Sequence, residues 1–225
     1  MGRVIAQQLR RAVLAGWIAA GAVLALPAFA GSYTDYFRAV GSDNAAEVSS
    51  LLERGFDPNT IEAKRGETGL MVAIQEGAKK VIPVLLEARG INLEARAFNG
   101  NTALMLAAYK KMPQLVQALL DQGAEVNQPG WTALHYAASA GDNAIVQMLL
   151  DKSAYIDAES PNGTTPIMMA ARSGHILMVK LLLDAGADAT LKNQQGLSAI
   201  DFARKFGHND IAEGLQYRLE KAGKR

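Results

Sequence analysis

Gly130-Trp131-Thr132-Ala133-Leu134-His135-Tyr136-Ala137-Ala138 decides the fold, because its spacing of glycine, hydroxyl, aliphatic and small residues recurs along the chain. The glycines that head the copies are Gly66, Gly100, Gly130, Gly163 and Gly196, at intervals of 34, 30, 33 and 33 residues. Two residues after them stand Thr68, Thr102, Thr132, Thr165 and Ser198. Four after stand Leu70, Leu104, Leu134, Ile167 and Ile200, and seven after Ala73, Ala107, Ala137, Ala170 and Ala203. The register persists to the nineteenth position, held by Leu85, Leu119, Leu149, Leu182 and Leu215. Counting back from Leu51-Leu52 places an atypical first unit at Ser32, with Tyr36, Ala39, Val40 and Val48 in its apolar slots. A fixed period near 33 residues is the mark of a repeat architecture. The units run 32–65, 66–99, 100–129, 130–162, 163–195 and 196–225, leaving no room for a second domain in 31–225.

Within each unit the apolar positions 4, 7 and 8, then 15, 16, 19 and 20, follow helical spacing and predict two short amphipathic helices. Gly77, Gly141, Gly174 and Gly207 fall between them, where a left-handed residue turns the chain. The Thr or Ser at position 2 is placed to cap the first helix, and Ser198 with Asp201 has capping-box spacing. Each helix pair then carries apolar faces on both sides, which only its neighbours can cover.

These residues resemble the ankyrin repeat. Gly130 to Ala138 and Gly163-Thr164-Thr165-Pro166-Ile167 with Ala170-Ala171 match its G-x-T-P-L-H-x-A-A signature. Leu119-Leu120-Asp121-Gln122-Gly123-Ala124 and Leu182-Leu183-Asp184-Ala185-Gly186-Ala187 match its L-L-x-x-G-A ending. The resemblance covers Ser32 to about Leu219 and implies an all-α ankyrin-repeat solenoid of stacked helix–turn–helix units with β-hairpin finger loops. It also implies binding of other proteins on the concave side formed by fingers and first helices. The departures are local. Met71, Met105, Met168 and Asp201 replace the usual histidine, Arg89 adds a residue before the second finger, and the third finger is about three residues short between Asn127 and Gly130. Pro83 falls beyond the expected start of its helix, which predicts a delay or a kink; Pro113, nearer a helix start, is benign.

Composition closes off most chemistry. The chain has 225 residues, 49% of them apolar and 20% charged, and 23 basic against 22 acidic side chains give a net charge of +1. Such balance provides no general attraction for nucleic acid. With no cysteine, disulfides, thiol catalysis and thiolate metal sites are excluded. His135, His175 and His208 occupy repeat slots roughly one unit apart, where the resemblance implies that they tie turns to backbone groups, and they form no local ligand cluster. No phosphate-binding or dinucleotide-binding motif is present. The eight methionines invite a redox reading, yet Met148 and Met178 sit in or beside apolar helix slots, where thioether packing accounts for them. The expectation is a non-enzyme without cofactor or metal.

Residues 1–30 read as an address. Arg3, Arg10 and Arg11 precede the apolar run Ala12 to Leu26, and Ala28-Phe29-Ala30 supplies a small-residue cleavage site. Fifteen helical residues rise about 22 Å, short of a hydrocarbon core of roughly 30 Å. The expectation is therefore a secretory signal peptide cut after Ala30, and a periplasmic or secreted monomer as in bacterial exported ankyrin-repeat proteins. A retained N-terminal membrane anchor is the alternative; small-ligand binding or catalysis is the third reading.

The resemblance implies that the concave positions are the two residues before the heading glycine, the one after it, and the ninth and tenth after it, which in this chain include Glu67, Gln128, Ala140 and Thr164. Most are polar, but Phe98, Tyr109 and Trp131 fall in adjacent units beside the short finger, with Asn101, Lys110 and Arg172 around them. Aromatic anchors ringed by polar groups have the makeup of a protein-binding hot spot. The competing account has Trp131 fold over the missing fingertip as core. The partner expected is another protein, an extracytoplasmic enzyme being one class, with no nucleic acid. N-terminal sequencing of the exported protein should return Gly31-Ser32-Tyr33; an intact Met1 or a formyl-methionine start would establish the anchored alternative instead.

Overall fold

The computed structural model describes residues 31–223, so the signal segment expected over 1–30 lies outside the described residues. The chain forms paired helices in series: α1 (residues 31–41) with α2 (Ala45–Glu53), α3 (Gly69–Glu76) with α4 (Val81–Leu86), and α5 (Ala103–Tyr109) with α6 (Pro113–Asp121). The series continues with α7 (Ala133–Ala140) and α8 (Asn143–Asp151), α9 (Pro166–Arg172) and α10 (Ile176–Asp184), then α11 (Ala199–Lys205) and α12 (Asn209–Lys221). The first helices α3, α5, α7, α9 and α11 contact one another in order, and so do the second helices α6, α8 and α10. The result is a two-layered solenoid with one continuous core along its length.

Position 7 explains how the layers close. Ala73, Ala107, Ala137, Ala170 and Ala203 are all completely buried, and a methyl is all that fits where successive first helices meet. The leucines at position 19 fill the space between the layers, each at most 1% exposed. Burying one such side chain stabilises the stack by roughly 1.5–3 kcal/mol, and truncating it to Ala costs about 2–5 kcal/mol.

The helix starts follow from position 2. Thr68, Thr102, Thr132, Thr165 and Ser198 are the N-cap residues of the five first helices from α3 onward. Position 5 completes the cap in return. The N–H of Thr102 points to Met105 Sδ at 3.5 Å, that of Thr132 to His135 Nδ1 at 3.1 Å, that of Thr165 to Met168 Sδ at 3.4 Å and that of Ser198 to Asp201 Oδ2 at 2.8 Å. Three different acceptors thus do one job, satisfying a donor that a helix start leaves orphaned. The turn after the first helix is left-handed at Gly77, Gly141, Gly174 and Gly207; Asp43 and Lys111 adopt the same conformation without glycine, both at φ 54°.

Pro83 delays its helix. Its ring would clash with the carbonyl four residues back, at Lys79, so α4 begins at Val81, two residues later than the register of α6 and α8 would place it. The freed N–H groups of Lys80 and Val81 both donate to Asp43 Oδ1, at 2.8 and 3.0 Å, from the preceding unit.

The fingers are tighter than the hairpins expected from the resemblance. Among the described residues they contain one bridging pair, Ile61 with Thr68, and otherwise close as turns, by Ala97 N–H to Asn101 O, Ser160 to Thr164 and Asn193 to Leu197, each at 3.0 Å. Successive fingers are joined at two tips by backbone bonds, Phe98 N–H to Arg65 O and Gln194 N–H to Asn162 O, and at their bases by a side-chain ladder. Asn59 takes the N–H of Asn92 (2.7 Å) and donates to Gly90 O (2.8 Å), while Glu94 takes the N–H of Glu125 (2.8 Å). Asn127 takes the N–H of Tyr155 (2.8 Å) and donates to Ser153 O (2.9 Å); Asp157 takes the N–H of Asp188 (3.0 Å). Among the described residues no helix is long and apolar enough to cross a membrane.

Gly69 marks the junction with the first unit. It begins α3, at a position that Ala103, Ala133 and Ala199 fill in other units. A Cβ on Gly69 would overlap the hydroxyl of the fully buried Tyr36 and stand 2.6 Å from its Cζ. Gly69→Ala should therefore destabilise the protein by about 1–3 kcal/mol through overpacking, despite a gain in helix propensity of up to ~1 kcal/mol. Urea unfolding followed by far-UV circular dichroism checks the sign.

Candidate partner-binding surface

The C-terminal ends of the first helices and the fingers carry the positions that the resemblance places on the concave face, and burial decides which of them stay open. Position 1 is closed in two units, where Glu67 and Thr164 are 2% and 3% exposed, and half-open in the other three, at Asn101, Trp131 and Leu197. Gln128 and Ala140, also expected at the surface, are buried. Gln128 is drawn inward because the third finger lacks a tip. Its amide donates to Glu94 and Glu125, and Arg96 donates to its carbonyl oxygen, so a side-chain network closes the gap in place of a turn.

Beside that gap lies an aromatic cluster. Tyr109, 53% exposed at the end of α5, meets Tyr136 of α7 edge to face with centroids 6.0 Å apart. Trp131 lies 6.4 Å from Tyr136 and 5.2 Å, edge on, from His135. Trp131 is half-buried, neither a core residue nor free: it packs edge on against the buried His135 imidazole and keeps part of its surface exposed. Asn101 joins the cluster by accepting the Tyr136 hydroxyl proton at 2.6 Å.

The other expected members are placed elsewhere. Phe98 is 68% exposed, but its ring lies over Gly66, overlapping the place where a Cβ would stand, and its N–H donates to Arg65 O at 2.8 Å. Lys110 points back along the groove, its Nζ donating to Gln75 O at 3.1 Å. Arg172 points forward, its guanidinium 5.0 Å above the Phe206 ring. Tyr136 is the member that the sequence reading missed. It sits at position 6, where Val72, Leu106, Met169 and Phe202 stand in other units, and the only signal was a side chain with a polar tip at a mostly apolar slot.

The histidines hold the stack together. The Nε2 of His175 is 3.0 Å from Ser139 O and that of His208 is 3.2 Å from Arg172 O, each ring lying over the turn glycine of the preceding unit. His135 is fully buried; its Nδ1 accepts the Thr132 N–H and its Nε2 lies 2.8 Å from Thr164 O. That arrangement requires the neutral tautomer carrying hydrogen on Nε2. Burial pushes the imidazole down to about 4, the Thr164 carbonyl opposing the shift only in part. Among the described residues no His, Asp and Glu group could hold a metal ion. The convex face carries open grooves rather than an enclosed pocket, one of about 690 Å³ running between α4 and α6 past Ile82, Pro83, Leu86 and Met112.

The family model for ankyrin repeats (three copies) matches residues 36–129, 92–160 and 134–222, and so spans nearly all of the described chain. The chain belongs to the ankyrin-repeat family. It is 32% identical over 126 residues to the Neurogenic locus notch homolog protein 1 of Xenopus laevis, covering 55% of this chain and 5% of that protein. It is 38% identical over 111 residues to the human Ankyrin repeat and KH domain-containing protein 1, covering 47% of this chain and 4% of that one. The human SH3 and multiple ankyrin repeat domains protein 1 is 37% identical over 122 residues, covering 52% and 6% respectively. These relatives are much longer, and the chain spans only about one-twentieth of them. What the ankyrin repeat carries to this chain is the coarse function of a protein–protein interaction scaffold.

The His135 geometry has a pH consequence. The folded state holds the imidazole neutral down to about 4, against 6.5 unperturbed, so its contribution is complete above 6.5 and is lost as pH falls from there towards 4. Unfolding free energy should fall by about 2 kcal/mol between about pH 7.5 and pH 5, and His135→Gln should flatten that slope in urea titrations at the two pH values.

Proposed function

We propose that this ankyrin-repeat chain is an exported, non-catalytic scaffold that holds a partner protein, an extracytoplasmic enzyme being one class, on its concave face. The observation that carries the reading is the exposed edge of Tyr109, backed by Tyr136 and Trp131, at the place where a finger is cut short. Wet, rigid aromatic rings in a recess offer large contact area with few rotatable bonds to immobilise, which is why they dominate interface energetics. The location rests on sequence: a basic start, the apolar run Ala12 to Leu26, a cleavage site ending at Ala30, and the absence of cysteine. Once the signal is removed, 20 basic and 22 acidic side chains leave a nearly neutral protein with no reason to bind nucleic acid or lipid through its overall charge. A second reading, favoured by that apolar run itself, keeps residues 1–30 as an envelope anchor.

Fractionation should place the protein in the periplasm or the medium. Immobilised wild-type protein should retain a partner from periplasmic extract at least tenfold better than Tyr109→Ala or Trp131→Ala, since truncating a central aromatic anchor costs about 2 kcal/mol or more. Equal retention by folded variants would remove the aromatic recess from the reading.

A further inference from the structure

The charge of the concave face departs from that of the chain as a whole. Its open positions carry Lys64, Arg65, Glu76, Lys110, Arg172 and Lys205. Arg65 is committed, with Nη2 3.0 Å from the buried Glu67 carboxylate and Nε 3.4 Å from Glu62 Oε1. Among the described residues no carboxylate lies within ion-pair distance of the other four cations, and Glu76 is the one open acid beside them. A nearly neutral protein thus concentrates unpaired positive charge along its groove.

The order of these groups along the stack matters more than their sum. Lys110 ends α5, Arg172 ends α9, and between them α7 offers no charge, only Ser139 and buried Ala140 with the aromatic recess of Tyr136 and Trp131 alongside. Neighbouring first helices pack about 8–10 Å apart, so the helix ends that carry Lys110 and Arg172 each stand one such step from α7, with the charged tips turned outward to Gln75 and Phe206. A segment extended in the polyproline-II conformation advances about 3.1 Å per residue and turns once in about three, so three residues cover a step and return to the same face. We infer that the groove takes an acidic extended segment of a partner protein, with an apolar side chain in the recess and a carboxylate about three residues to either side, one drawing Lys110 off the Gln75 carbonyl and the other drawing Arg172 off the Phe206 ring. This rests on the concave-binding reading above and adds the chemistry of what is bound. Lys64 and Lys205 extend the same positive line towards the two ends, so a segment of about twelve residues spans it. The cations also lie near carbonyls at the ends of the first helices, where positive charge is favoured whatever binds. That role predicts a change in stability, whereas a binding role predicts a change in affinity.

The test is selection of random dodecamer peptides displayed on phage against the full exported chain, followed by fluorescence titration of the enriched peptides. The expected result is enrichment of an acid, two residues, an apolar residue, two residues and an acid. Binding should weaken tenfold or more on Tyr109→Ala, and by a similar factor on the double variant Lys110→Gln with Arg172→Gln. It should also weaken as salt rises from about 50 to 500 mM, while thermal melts show that both variants remain folded. Enriched peptides that lose affinity on Tyr109→Ala but are indifferent to salt and to the charge variant would overturn the acidic segment and leave the concave reading standing. Peptides insensitive to every substitution would overturn both. A twelve-base thymidine oligonucleotide bound more tightly than the best peptide would overturn the inference in favour of a single-stranded nucleic acid, which also suits cations interleaved with aromatic rings.

Discussion

Apolar surface on both sides of a thin helix pair is the constraint on which everything else depends. A unit of about 33 residues cannot enclose a core alone, so its stability is the area it shares with its neighbours. The fully buried alanines at position 7 set how closely the first helices approach, and the leucines at position 19 lock the second layer onto the first. The polar groups then have to be satisfied across the same junctions. His175 and His208 reach back to carbonyls of the preceding unit, Asp43 caps the following unit's second helix, and Asn59, Glu94, Asn127 and Asp157 hold successive finger bases. Every junction therefore combines buried methyl groups with a small number of oriented hydrogen bonds, and the hydrogen bonds fix the register that burial alone would leave loose.

That register produces the concave face. Because each first helix ends at the same height, positions 9 and 10 of successive units form a line, and the character of the line is set by which residues fall there. In this chain it runs from the Gln75 carbonyl past Lys110 and Tyr109, through a stretch without charge, to Arg172 stacked on Phe206. The missing fingertip opens the line at its centre, and Gln128 seals the polar floor beneath it with Glu94, Glu125 and Arg96. A partner meeting this surface encounters rigid rings supported from below and flexible cations to either side, an arrangement that separates affinity from steering.

Most of the fold was legible because periodicity is a global signal that survives local error. Position 2 caps, position 7 contacts and position 19 packing could each be assigned by counting from Gly130, and the delay that Pro83 imposes on α4 followed from its ring alone. The surface was harder to read. Register puts Tyr109, Asn101 and Trp131 in neighbouring units, where Tyr136 joins them, but it cannot tell which way a long side chain points, and Lys110 and Arg172 turn from the aromatic cluster towards Gln75 and Phe206. Nor does it show that Glu67 and Thr164 are covered at position 1 while Asn101 and Trp131 stay half-open, because the covering finger belongs to the next unit. The finger-base ladder went unseen for a related reason: Asn, Glu and Asp at one slot share no pattern of residue type, only the ability to accept an N–H from the neighbour.

The ladder also separates two tasks within each unit. Asn127 still holds Tyr155 and Ser153 although the tip that follows it has lost about three residues, so the base bonds persist at a junction where a tip is cut short, beside the tip-to-tip bonds that the Phe98 and Gln194 N–H groups make elsewhere. Tips can then lengthen, shorten or change composition while the column of units stays intact. A lineage built on this scaffold is free to drift in what it recognises without first having to restabilise its framework.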